Sequence, residues 1–176
     1  MSSSKQIQKA ANERKAFTLF AERMGWPCND ETLSSRPEPE PDILFAMEAN
    51  AVAFELVEVC DSTLAHQTAL IRETGGVFTT WTGDPTAEII NKKLTKKYVT
   101  VHPIELLCYW NAMVISPDNQ VAEEIHLALR SNFSHPFRVV WYFGEKAIYK
   151  WSIPEDRCSK MEFESERDPF WVDLFI

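Results

Sequence analysis

The run "PDILFAMEANAVAFELVEV", residues 41–59, constrains the fold more than any other stretch of the chain. Two apolar segments, 42–48 and 51–59, read as strands, and the "EAN" between them is short enough for a hairpin. Strand residues two apart share a face, so Glu55 and Val57 point one way while Phe54, Leu56 and Glu58 point the other. Glu55 therefore sits between Ala53 and Val57 on an apolar face. An unpaired ionised carboxylate in such a place costs on the order of several kcal/mol. A hard divalent cation would offset that cost, since Mg²⁺ is held by one or two carboxylates together with waters and phosphate oxygens. Asp42 stands at the mouth of the first strand.

The remaining segments place this hairpin in an α/β layered domain. Residues 5–25 have Ile7, Ala10, Phe17, Phe20, Ala21 and Met24 at helical spacing, and Gly25 and Pro27 end the helix. Residues 28–41 read as a loop stiffened by "RPEPEP". Residues 62–74 read as a short helix or an excursion, and "GGVFTTWTGD" as loop or edge strand. Asp84 and Pro85 open a second helix that runs to about Tyr98. "IELLCYWNAMVI", 104–115, reads as a buried strand and "DNQVAEEIHLALRSN" as a third helix. "FRVVWYFG" and "AIYKWSI" form a closing hairpin around Gly144 and Glu145. The order α, β, β, α, β, α, β, β predicts a mixed sheet flanked by helices, with one domain over 1–154. Residues 155–176 then form an acidic, aromatic C-terminal segment packed on that domain or extending from it.

Composition narrows the chemistry. The chain has 176 residues and a net charge of −8, which argues against a protein that coats nucleic acid through overall charge. Seven acids and three bases fall between Glu155 and Ile176, so half of that excess lies in the terminal segment. The four cysteines and four histidines are scattered, with no CxxC, HExxH or HxH spacing, so neither a disulfide framework nor a zinc site is expected. No apolar run reaches transmembrane length, and the N-terminus lacks an apolar signal core; a cytoplasmic protein with no membrane partner is expected.

Two further elements bring charge toward the interior. On the first helix Glu13 falls on the azimuth of Phe20 and Met24, inside the apolar stripe. On the helix "PTAEIINKKLTKKY" the inward stripe is Ile90, Leu94 and Tyr98. Lys93 and Lys97 flank it on the helical wheel, while Lys92 and Lys96 point away. Pro41-Asp42, followed after twelve residues by "ELV" at 55–57, together with Glu13 upstream and "INKKLTKKY" downstream, resembles the PD-(D/E)XK nuclease superfamily. The likeness covers roughly residues 5–115.

That resemblance implies a restriction-endonuclease-like three-layer fold and Mg²⁺- or Mn²⁺-dependent phosphodiester hydrolysis of nucleic acid, with DNA the favoured partner. It implies Asp42 and Glu55 as metal ligands, joined by the Val57 carbonyl, and Glu13 as an accessory carboxylate. The motif lysine is replaced by Val57, so Lys93, and after it Lys97, is expected to supply the ammonium. The alternative is a catalytically degenerate module that binds protein or nucleic acid, with "ESERDPFWVDLF" docking on a basic partner. Whether two chains pair as a homodimer is left open by the sequence. Plain structural readings stand beside these. Asp42 can be a strand-start residue, Glu55 an edge-strand charge, and Glu13 a snorkelling side chain. The lysines can be a solvated face pinned by Glu88–Lys92.

Overall fold

Among the described residues eight strands lie side by side in chain order, β1 to β8, in one mixed sheet. The computed structural model describes residues 4–47, 50–59, 85–110, 116–163 and 171–174. The strands are β1 (Leu33–Ser35), β2 (Ile43–Met47), β3 (Asn50–Val59), β4 (Ile104–Trp110), β5 (Phe137–Phe143), β6 (Ala147–Ser152), β7 (Arg157–Glu162) and β8 (Trp171–Leu174). The helices among the described residues are α1 (Ser4–Arg23), α2 (Thr86–Thr95) and α3 (Asp118–Ser131).

The three central strands β3, β4 and β5 are parallel, and all other neighbours are antiparallel. Parallel neighbours need crossovers. Right-handed crossovers stepping in one direction across a sheet put their helices on one face. Accordingly Ile90 and Leu94 of α2 and Val121, Ile125 and Leu129 of α3 share a core with Val57, Leu106, Val140 and Tyr142. On the opposite face α1 buries Phe17, Phe20 and Ala21 against Phe45, Phe54, Leu107 and Trp141. Helix, sheet and helix thus make three layers, as a strand's alternating side chains require.

Several expectations are met within a residue or two. These include α1, the β2–β3 hairpin, α3 and the β5–β6 hairpin. The sequence reading misses β1, a three-residue strand inside the expected loop 28–41, tied to α1 by Arg14 Nη1 donating to the Leu33 carbonyl at 3.1 Å. It assigns no strand beyond residue 154. Strands β7 and β8 continue the same ladder, so the acidic terminal stretch is partly sheet. The expected excursion 62–74, the loop "GGVFTTWTGD" with Trp81, the N-cap Asp84 and the end of the 104–115 strand lie outside the described residues.

One glycine is dictated by packing. The Asp118 carboxylate, at the start of α3, accepts from the backbone N–H groups of Glu145, Lys146 and Ala147 and from the Tyr142 hydroxyl. A Cβ on Gly144 would run into that carboxylate. No helix among the described residues is long and apolar enough to cross a membrane.

Phe17 anchors the α1 layer, with ring centroids 4.9 Å from Phe54 and 5.2 Å from Phe45. Phe17→Ala is expected to lower the unfolding free energy by about 3–5 kcal/mol in urea denaturation. Leu19→Ala, on the exposed side of the same helix, should change it by less than about 0.5 kcal/mol. Equal effects of the two changes would contradict this packing.

Candidate functional site

Strand β3 outruns its neighbour. Its register with β2 pairs Ile43 with Phe54, and β2 begins at Ile43. Continued by one residue, that register sets Asp42 opposite Glu55. Past this point β2 no longer covers the β3 edge, and Asp42 Oδ2 accepts the Leu56 N–H at 2.9 Å in place of a strand partner. The chain folds this way because Pro41 precedes Asp42 and has no N–H to extend the ladder.

Glu55 is fully buried, as its apolar flanks predict. It lies on the face covered by α2, and two ammonium groups reach it from there. Lys93 Nζ stands 2.6 Å and Lys96 Nζ 3.2 Å from Oε1. Oε2 is buried and has no donor among the described residues. From the α1 side Lys9 Nζ bridges Glu13 Oε1 at 2.7 Å and Asp42 Oδ1 at 3.0 Å. The carboxylates of Glu13, Asp42 and Glu55 and the ammonium groups of Lys9, Lys93 and Lys96 therefore meet around the open β3 edge, and the exposed Glu38 also pairs with Lys96 at 3.4 Å. An open cleft of about 450 Å³ adjoins it, lined by Lys9, Glu13, Val57, Glu58, Lys93 and Tyr109.

Titration follows from this crowding. Burial, with the Asp42 charge adding to it, raises the Glu13 pKa above the ordinary carboxylate value despite its contact with Lys9. Burial works against the Lys9 ammonium, but hydrogen bonds and charge from Glu13 and Asp42 outweigh it and hold its pKa above the usual lysine range. Burial likewise opposes the Lys96 ammonium, and the charge of Glu55 overcomes it, so its pKa is raised. Burial and then Glu55 push the Tyr98 phenol up, so it stays protonated.

The sequence-predicted residues separate here. Glu13, Asp42 and Glu55 are all buried, and Lys93 makes the shortest contact with Glu55. Lys97 is exposed, and Lys96 takes the place assigned to it. The helical wheel misleads because α2 ends at Thr95. Lys96 is already extended (φ −70°, ψ 142°), so its side chain turns back under the helix end. Val57 packs in the core behind α2. Lys9 was missed, although its i,i+4 spacing to Glu13 is a readable signal. The solvated pair Glu88–Lys92 forms as read, at 2.7 Å.

A cation held by many protein ligands does not match this cluster. Among the described residues no three His, Cys, Asp or Glu side chains are arranged to hold a metal ion. Asp42 uses both oxygens, and Glu55 Oε1 is shared by two lysines. Of the two Glu55 oxygens only Oε1 is engaged among the described residues, and Oε2 is buried.

No family model matches the chain, and no curated protein does. A comparison with solved structures gives a protein of unknown function from Pseudomonas aeruginosa strain PAO1, described as of the monooxygenase superfamily. It is 14% identical, with a TM-score of 0.42, over 90% of this chain and 84% of the other. So slight a likeness transfers neither a fold nor an activity to this chain. Neither the family models, the curated proteins nor this neighbour supports a nuclease, and the sequence-based assignment is withdrawn. Membership of the PD-(D/E)XK superfamily and hydrolysis of DNA do not stand. Physically, the motif is three short matches, and here its acids are engaged by lysines. What stands is a mixed α/β fold.

Two predictions follow from the ion pairs. Lys93→Met removes the nearest partner of a buried carboxylate and is expected to cost about 3 kcal/mol. Glu55→Leu combined with Lys93→Met should recover most of it in urea denaturation; a single change as mild as Lys92→Met would contradict the pairing. Glu13, with its raised folded pKa, binds its proton more tightly in the fold than in the unfolded chain. Its contribution to stability therefore falls as pH rises from about 4.5 through the folded pKa. Urea midpoints of the wild type and Glu13→Gln, measured from pH 4 to 7, should diverge in favour of the variant as pH rises, and parallel curves would refute this.

Proposed function

We propose that the chain is a binding protein for a phosphate-bearing ligand that enters together with a divalent cation at the Lys9–Glu13–Asp42–Glu55–Lys93 cluster. The observation that carries this reading is the Glu55 carboxylate. It is fully buried, is neutralised through one oxygen by two lysines, and its other oxygen has no donor among the described residues. A buried ion pair of this kind is weak as a stabilising device, because its desolvation cost rivals its Coulomb gain.

Asp42 and Glu55 are the residues that would hold the ion, with Glu13 beside them. Bound there, a divalent cation would carry the charge that the ammonium groups now carry and offer coordination positions to phosphate oxygens. Lys9 and Lys93 both line the adjoining cleft, so each is placed to turn from carboxylate to phosphate. Lys96 keeps Glu55 company on its inner side, through the same contact that it makes now. Tyr98, held protonated, donates to the Lys93 carbonyl at 3.4 Å and brings no charge.

Titration calorimetry with Mn²⁺ and then inorganic pyrophosphate tests the reading. Mn²⁺ should bind the wild type and bind Glu55→Gln at least tenfold more weakly. Pyrophosphate should bind at least tenfold more tightly with Mn²⁺ than without it, and Lys93→Ala should lose the pyrophosphate step while keeping the metal step. A wild type that takes up no Mn²⁺, or that binds pyrophosphate equally well without it, would refute the proposal.

A further inference from the structure

A second cleft opens on the α1 face of the sheet, where that helix stops. Gly25 has a left-handed backbone (φ +67°), the conformation that favours glycine. Its N–H donates to the Glu22 carbonyl at 3.1 Å, and the Trp26 N–H donates to the Ala21 carbonyl at 2.8 Å. This pair of bonds ends a helix and turns the chain away from its axis. The turn brings Trp26 onto Phe45, with ring centroids 5.8 Å apart and planes 18° apart. Beside Trp26 lies an open cleft of about 360 Å³. That volume suits a molecule of one or two rings.

The lining divides by chemistry. Met24, Trp26 and Val139 are half-buried and give it apolar walls. The strand register supplies the rest. Phe54, Glu105 and Val139 are cross-strand neighbours in one row, and Trp141 and Lys150 are neighbours in the next. Glu105 is buried and shared between two donors, Trp141 Nε1 at 2.7 Å and Arg138 Nε at 2.8 Å. Arg138 is thereby fixed at the rim, with 48% of its side chain exposed. Lys150 Nζ lies over the Trp141 ring, 5.1 Å from its centroid, and is the second cation on the cleft. Two cations against one acid, itself already divided between two donors, make the described lining electropositive.

We infer that this cleft binds a small aromatic carboxylate, its ring against Trp26 and Val139 and its carboxylate paired with Lys150 beside Arg138. A flat ring stacks on the half-exposed indole. Glu105 holds the Arg138 guanidinium in place, whereas Lys150 hangs on a flexible stem and can turn from the Trp141 ring to a carboxylate. The cleft shares no described lining residue with the one beside the Glu55 cluster, and the inference does not depend on the reading given there.

The test is titration calorimetry of the full chain with 2-naphthylacetate, the neutral 2-naphthaleneethanol and the cationic 2-naphthaleneethylamine. The acid is expected to saturate, and to bind about tenfold more tightly than the alcohol or the amine, the worth of one charged hydrogen bond. In spectra of the ¹⁵N-labelled chain it should shift the Trp26 indole N–H resonance. Lys150→Gln should weaken the acid about tenfold and leave the alcohol unchanged, and Lys150→Arg should restore most of the affinity. Trp26→Leu should weaken acid and alcohol alike, with folding checked by thermal denaturation. If Trp26→Leu does not fold, the two Lys150 variants and the indole resonance carry the test. Absence of saturable binding, binding without the Trp26 shift, an alcohol or amine that binds as tightly as the acid, or acid affinity unchanged in Lys150→Gln would each overturn the inference.

Discussion

A carboxylate with no access to water must find its counter-charge inside the protein, and Glu55 sets that demand at the centre of this fold. Its position on β3 requires cations on the α2 side of the sheet. Lys93 and Lys96 meet it only because α2 stops at Thr95, between them. The helix end, the length of β3 beyond β2 and the entry of Asp42 at the open edge are thus parts of one arrangement. Move any of them and a buried charge is left alone, which is far costlier than losing a surface ion pair.

The two faces of the sheet handle buried charge differently. On the α1 face Glu105 is fully used, by Arg138 and by the Trp141 indole, and it locks β4 to β5. On the α2 face Glu55 keeps an oxygen in reserve. The first is what a structural carboxylate looks like when every lone pair has work. The two differ in hydrogen bonding and not in burial, since both side chains are nearly or fully inaccessible.

Much of this was legible in the sequence, for identifiable reasons. The stripe Phe17, Phe20, Ala21 has helical period and is buried as read. The alternation around Glu55 gave its face, and the burial of Asp42 and Glu13 followed from their neighbours. Lys96 was not legible, because a helical wheel assumes that the helix continues. Strands β7 and β8 were hidden by their acids: "RCSKME" reads as charged chain, yet Cys158, Ser159 and Met161 are buried. The family resemblance failed for a different reason. A proline, two carboxylates and a lysine helix can be brought together by the electrostatics of one buried acid, so their order alone does not carry an ancestry.

The sheet ends on strands of three and four residues, β1 and β8. Another extended chain laid against either margin would gain only that many rungs of ladder, too few to hold it. Seven inter-strand spacings separate the two margins, about 34 Å. Among the described residues the margins of the sheet are thus its two shortest strands, and the longest, β3, lies between neighbours along most of its length.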